Sequence, residues 1–321
     1  MMIIVVAVSA AAIYFNQVGY GPNLAVKIQD FFQGNAYQPS AEMARIRNDL
    51  QLTDKGKFIF NSAQPKLSES DEFNKYCRSD SPEAAILGCY TMNNIYVYNI
   101  TDAELDGIRE LTTAHELLHA VWARMSDEEK TALVEPLTRT FEANQDFMAE
   151  EINNYDISQK QEELYVRAGT EVANLPADLE RHYAEIFKNQ DAVVAFYDKY
   201  IGVFRTLTAE LDSLKAELDQ INTVVTAKTA EYEQRSSQLN AEVTSFNSCA
   251  RTTGCFKTEE EFEAKKSVLM GEQAALEALY EEINSLIASY NSKVEIYNTD
   301  VLRSENLNNM INSNSKPKDI E

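Results

Sequence analysis

His115-Glu116-Leu117-Leu118-His119 is the stretch whose residue types and spacing could do chemistry. On a helix, residues four apart share a face, so His115 and His119 can present two imidazoles to one metal ion. Glu116 follows one residue on, placed to act on a water at that ion rather than on the ion itself. Chance would put H-E-x-x-H into roughly one chain of this length per hundred, so the motif is informative. The chain has only 3 histidines, and two of them stand here. Ala114, Leu117, Leu118, Ala120 and Val121 carry no charge, which is the context of a buried helix rather than of two surface histidines.

A catalytic zinc takes three protein ligands and leaves a position for water. His182 is one option for the third ligand. The downstream carboxylates Glu135, Glu142, Glu150, Glu151, Glu162, Glu163 and Glu171 are the others. Trp122 and Met125 stand where an H-E-x-x-H-x-x-G-x-x-H continuation needs Gly and His, which excludes the metzincin pattern. A glutamate from a later helix is the arrangement that remains favoured.

The elements that must position these groups can be read outward from the motif. Asn94 to Ile100 is β-branched and aromatic, and reads as a strand. Thr101 or Asp102 can cap the helix that follows and carries the histidines. Ser126-Asp127-Glu128-Glu129 is a capping box, so that helix ends near Arg124-Met125 and another begins. Later helices are expected at about 160–173 and 177–188, the second containing His182. Upstream, 22–52 reads as helical with a start at Pro39-Ser40, and Lys57 to Phe60 reads as a short strand ending before Pro65. In a zinc peptidase, a strand such as Asn94–Ile100 can bind an extended peptide along its edge.

From about residue 195 the pattern changes. Phe204, Leu211, Leu218, Val225, Tyr232, Leu239 and Phe246 recur every seven residues, and Leu207, Leu214 and Ile221 add a second row. After Cys249-Ala250-Arg251-Thr252-Thr253-Gly254-Cys255 the period resumes through Phe262, Leu269, Leu276, Ile283, Tyr290 and Tyr297. Two heptad arms joined by a short turn predict an antiparallel coiled-coil hairpin, each arm roughly 65 Å long. Turning near Gly254 sets Phe246 level with Phe262 and Val225 level with Ile283. The Asn-, Ser- and Lys-rich tail from 306 to 321 reads as disordered.

Residues 1–15 are almost wholly apolar, short for a membrane span of about 20 residues and matched to a signal core of about 7–15. No basic residue precedes them, so they read as a truncated membrane anchor or signal segment. The 4 cysteines fall into local pairs, Cys77 with Cys89 and Cys249 with Cys255, without metal-ribbon spacing. Two local disulfides in an oxidising compartment are expected, which places the chain on the extracytoplasmic face, membrane-anchored or secreted. A net charge of −22 argues against a nucleic-acid partner.

The chain resembles gluzincin-type zinc metallopeptidases, in particular membrane-anchored bacterial proteins that follow such a domain with a coiled coil. The resemblance runs through Phe73-Asn74, Cys77, Gly88-Cys89-Tyr90, Ile95 to Tyr98, Ala114 to Ala120, Glu163-Leu164-Tyr165, Gly169-Thr170-Glu171 and residues 291–298. It implies His115 and His119 as zinc ligands, Glu116 as base, and a helix-borne glutamate as third ligand: Glu163 first, then Glu171, then Glu162. The family tends to carry His where this chain has Tyr165. Candidates to stabilise the oxyanion are His182, Tyr165 and Arg167.

The expected fold is α+β and mostly helical. A zincin-like domain with a small sheet (16–200) is followed by the hairpin (201–305). The expected function is zinc-dependent hydrolysis of peptide bonds in a peptide or protein substrate. The competing expectation is a non-catalytic surface module whose hairpin binds a protein partner while the zincin-like domain is a scaffold. The intact Glu116 favours the enzyme, because a purely structural site has no use for a base.

Overall fold

The computed structural model describes residues 24–77, 86–152 and 157–313. The apolar segment 1–15 and the end of the chain from 314 lie outside the described residues. Among the described residues no helix is long and apolar enough to cross a membrane. The protein is mostly helical with one small sheet, and the chain divides into two compact units. One unit comprises the described residues up to Phe204 and from Asn306; the other is Arg205–Glu305.

The first unit begins with α1 (Leu24–Ala36), α2 (Ala41–Asp49) and α3 (Asp54–Ser62). Ser40 caps α2, its hydroxyl accepting from the Met43 amide at 3.2 Å. The strand expected at Lys57–Phe60 is instead part of α3. Thr53 caps it by accepting from the Gly56 amide at 3.0 Å, and Phe58, Ile59 and Phe60 are all buried. Their bulk marks burial rather than strand, and the N-cap outweighs β-propensity.

Three strands follow: β1 (Lys66–Ser68), β2 (Gly88–Thr91) and β3 (Asn94–Tyr98), with α4 (Ser70–Tyr76) between the first two. Their spatial order is β1-β3-β2, β1 parallel and β2 antiparallel to β3. Met92 and Asn93, at φ 48° and 61°, make the two-residue turn of the β2–β3 hairpin. The strand read from sequence is therefore the central one, with both edges taken; β2 is the edge strand beside the histidines. A disulfide joins Cys77, at the end of α4, to Cys89 on β2.

The helix carrying the motif is α5 (Ile108–Trp122). Asp102 caps only a short 3-10 turn at Ala103–Leu105, and Gly107 occupies the N-cap of α5 without a side-chain bond. The capping box forms as the sequence predicts, Ser126 and Glu129 bonding reciprocally at the start of α6 (Asp127–Ala143). Then come α7 (Gln145–Ile152), α8 (Ile157–Glu171), α9 (Ala177–Tyr183) and the long α10 (Gln190–Ala250) and α11 (Glu259–Ile311). Helix α5 lies at the centre of the first unit, packed by α8, β2, β3, α2 and α3. Leu117, Leu118 and Ala120 of α5 are fully buried there with Phe60, Ile95, Val97, Val166 and Tyr183.

The second unit is made of α10 from Arg205 onward and α11 up to Glu305. Contacts between them pair rising numbers with falling ones: Glu217 with Lys293, Lys228 with Glu282, Arg235 with Glu272, Glu242 with Lys265, and Phe246 with Phe262. The two helices are thus antiparallel. On α10, half-buried positions recur at alternating steps of three and four from Leu211 through Leu214, Leu218, Ile221 and Val225 to Phe246. On α11 the matching row includes Leu269, Leu276, Leu279 and Ile283, each 6–7 % exposed. A second disulfide, Cys249–Cys255, closes the turn between them. Helix α11 runs to Ile311, so the first residues of the tail expected to be disordered are helical.

Candidate metal centre

Two close approaches bring the candidate groups together. A Cβ built on Gly169 would come within 2.5 Å of Leu118 and 2.6 Å of Tyr183, so only glycine lets α8 lie this close to α5. On the other side, a Cβ on Gly88 would meet Thr112 Cγ2 at 2.6 Å and Glu116 Oε1 at 2.8 Å. Strand β2 is pressed against the motif there, and a larger residue would push it off.

A buried polar frame holds β2 in place. Arg124, just past the end of α5, makes a bidentate pair with Asp30 of α1, both bonds 2.9 Å long. The same guanidinium donates to the Tyr90 hydroxyl at 2.8 Å and to Asn93 Oδ1 at 2.6 Å. The Arg124 and Asp30 side chains are 3 % and 0 % exposed, so every bond of this fork is made away from water. It clamps α1, the hairpin turn and the end of the motif helix to one another. Nothing in the sequence singled out Asp30 or Arg124, which stand 94 residues apart.

With the helix packed in this way, His115, His119 and Glu163 bring one potential ligand atom each within 4.8 Å of one another, a group that could hold a metal ion. His119 Nε2 lies 3.4 Å from Glu163 Oε1, and His115 Nε2 lies 3.8 Å from Glu163 Oε2. Donors around a tetrahedral ion at about 2.0–2.1 Å stand roughly 3.3–3.4 Å apart, so the spacing is close to that of a ligand set. Glu163 Oε2 is buried and has no hydrogen-bond partner. A buried carboxylate oxygen left unpaired is costly, and a cation between it and the imidazoles is the natural remedy.

Glu162 does something different from what the sequence suggested. It is not in the ligand group: its carboxylate accepts from His119 Nδ1 at 2.8 Å. An ionised carboxylate only accepts, so this bond puts the ring proton on Nδ1 and turns the Nε2 lone pair of the neutral ring toward Glu163. Adjacent helical residues point about 100° apart, which lets Glu162 and Glu163 reach the two nitrogens of one imidazole. That straddle is the signal the doubled glutamate carried. Burial opposes charging His119, but the Glu162 and Glu163 carboxylates outweigh it and raise its pKa to about 10, so near neutral pH the metal-free ring also holds a proton on Nε2, which a bound ion would displace. Burial, with His119 and Arg167 nearby, keeps His115 well below the ordinary imidazole value.

Glu116 is buried behind the cluster, and burial raises its pKa to about 7, reinforced by Glu163 and opposed by His119 and the Tyr90 amide. That backbone hydrogen bond ties the carboxylate to β2. The His115 and His119 side chains keep 23 % and 15 % of their surface exposed, so the group opens to solvent rather than being sealed.

The remaining candidates separate by helix face. Tyr165 lies about 200° around α8 from Glu163 and faces away from the group. It is fully buried between Trp122 and Tyr183, and its hydroxyl bonds His182 Nε2 at 3.1 Å. The structure does not bring Tyr165 or His182 to the histidines of α5: Tyr165 is a core residue, and His182 is half-buried beside it. Arg167 and Glu171 are four and eight residues beyond Glu163, on its face. They pair with each other at 3.0 Å, which takes Glu171 out of the ligand group and leaves Arg167 as the nearby cation. Comparison with family profiles, with curated proteins and with solved structures gives no match.

Proposed function

We propose that the protein is a zinc-dependent hydrolase of peptide bonds, with His115, His119 and Glu163 as ligands. The observation that carries this reading is the group of three donors within 4.8 Å, one carboxylate oxygen of which is buried without a partner. Two nitrogens and one carboxylate match the ligand chemistry of a catalytic zinc, which polarises a carbonyl and acidifies a water when bound. Glu162 orients His119 and fixes its tautomer. Glu116 Oε1 or Oε2 accepts the proton of the attacking water and passes it to the leaving amine nitrogen. The Tyr90 amide holds that carboxylate in place. Arg167 supplies positive charge on the side of Glu163, where the developing oxyanion needs it.

Strand β2 supports a peptide as substrate. An extended segment can add to its outer edge, beside Glu116, through backbone hydrogen bonds. The two disulfides suit an oxidising compartment, and we read the protein as extracytoplasmic, with residues 1–15 as its membrane attachment. The antiparallel pair α10/α11 has the burial period of a coiled-coil hairpin appended to a zincin-like domain. Along α10 the second row turns from Leu214 and Ile221 to Lys228, Arg235 and Glu242, each paired with an opposite charge on α11. Such polar seam positions fix register at some expense of stability.

The test is hydrolysis of unfolded casein by zinc-loaded protein, compared with Glu116→Gln. The amide keeps the shape and the metal but cannot take the proton, so cleavage should fall by at least about a hundredfold. Cleavage by Glu116→Gln at the wild-type rate would refute the mechanism.

A further inference from the structure

A second cleft lies against the opposite edge of the same sheet, about 10 Å across it from β2 by strand spacing. It has a volume of about 580 Å³ and is bordered by β1, within the size range of small-ligand sites. Three tyrosines line it: Tyr37, Tyr76 and Tyr96. Tyr76 and Tyr96 stack in parallel, centroids 4.2 Å apart and planes at 7°, while Tyr76 remains 44 % exposed. The pair forms a rigid aromatic slab with a face turned to water.

Three amides, Gln38, Gln64 and Asn94, line the cleft with them. Gln64 and Asn94 each spend one donor internally, on the Gln33 and Met92 carbonyls. An amide has two donors and an acceptor, so each retains bonding capacity toward a ligand. Among the described residues the one charged lining residue is Lys66, whose ammonium is engaged by Glu72.

From this cleft we infer a binding site for a neutral saccharide, independent of the metal group. The C–H bonds on a pyranose face carry slight positive charge and suit the negative face of a tyrosine ring. Hydroxyls around the sugar edge suit amides, which both donate and accept. An anionic ligand is disfavoured, because the lining cation is already paired and the chain carries a net −22. Among the described residues no carboxylate lines the cleft to draw a cation. An extended peptide would need a row of backbone groups, and β1 offers only three residues preceded by Pro65, which has no amide hydrogen.

The test is saturation-transfer NMR of the full chain with cellohexaose and chitohexaose, with an alanine–serine hexapeptide as control. Transfer to at least one hexasaccharide and none to the peptide is expected. Binding should weaken about tenfold in Tyr76→Ala, the scale of one lost ring contact, and severalfold in Gln38→Ala, whose exposed side chain plays no part in the core. Glu116→Gln and zinc chelation should leave it unchanged, so this inference and the hydrolase reading fail separately. No transfer to either hexasaccharide would overturn it. So would transfer to the peptide instead, or undiminished saccharide binding by both Tyr76→Ala and Gln38→Ala.

Discussion

The two faces of α8 each bury histidine chemistry, and they have opposite characters. On one face Tyr165 meets His182, a hydroxyl against a ring nitrogen at 3.1 Å, surrounded by Trp122 and Tyr183. The Tyr165 hydroxyl and the His182 Nε2 are spent on each other. On the other face Glu162 and Glu163 meet His115 and His119, and after the Glu162 bond is made, the buried Glu163 Oε2 remains without a hydrogen bond, 3.8 Å from His115 Nε2. A histidine in a core is thus not informative by itself. Unspent bonding capacity, converging from two helices, is what separates a site from a packing solution.

The largest effect should come from the frame that carries the open face. Arg124→Met takes the guanidinium away from the buried Asp30 carboxylate, and should cost about 3–5 kcal/mol of unfolding free energy. In a unit of this size that corresponds to a melting temperature lower by roughly 6–20 °C, readable by calorimetry. A loss below about 1 kcal/mol would mean that the fork does not hold α1 and β2 to α5. Next in size is chelation. At zinc a hundred times its dissociation constant, removing the ion should cost the first unit about 2.7 kcal/mol, and it should cost Glu163→Ala nothing. Equal chelator effects on both proteins would erase the distinction between the faces.

Smaller effects sharpen the comparison. Glu162→Gln keeps the size of the side chain but weakens the bond that orients His119, and should reduce zinc affinity about 10–100-fold in competition with a chromophoric chelator. Tyr165→Phe on the closed face should leave zinc affinity unchanged. It removes one hydrogen bond from the half-buried His182, and should cost about 1 kcal/mol by denaturant unfolding. Reversal of these two outcomes would exchange the roles assigned to the faces.

What the sequence made legible was whatever is local. His115 and His119 share a face because they are four residues apart on one helix, and the Ser126–Glu129 box closes within a single turn. The periodic burial along α10 and α11 follows from a repeat visible over a few residues. The disulfide partners, 12 and 6 residues apart, are local too. Other features are set by packing between distant segments. Glu163 stands out among many carboxylates only through the family resemblance, and Glu162 takes its role from the position of His119 in space. Lys57 to Phe60 has strand-like composition but is helical because its bulk is wanted in the core around α5. Strand β2 is four residues long and starts with glycine, too short for alternation to show. Its defining feature, the approach of Gly88 to Glu116, exists only once the sheet lies on the helix.

The central claim is that α5 and α8 together hold one zinc through His115, His119 and Glu163. Elemental analysis of protein dialysed against limiting zinc tests it most directly, with Glu163→Ala and Glu171→Ala measured beside the wild type. The wild type and Glu171→Ala should each retain about one zinc per chain, and Glu163→Ala close to none. Full retention by Glu163→Ala, or loss from Glu171→Ala alone, would contradict it.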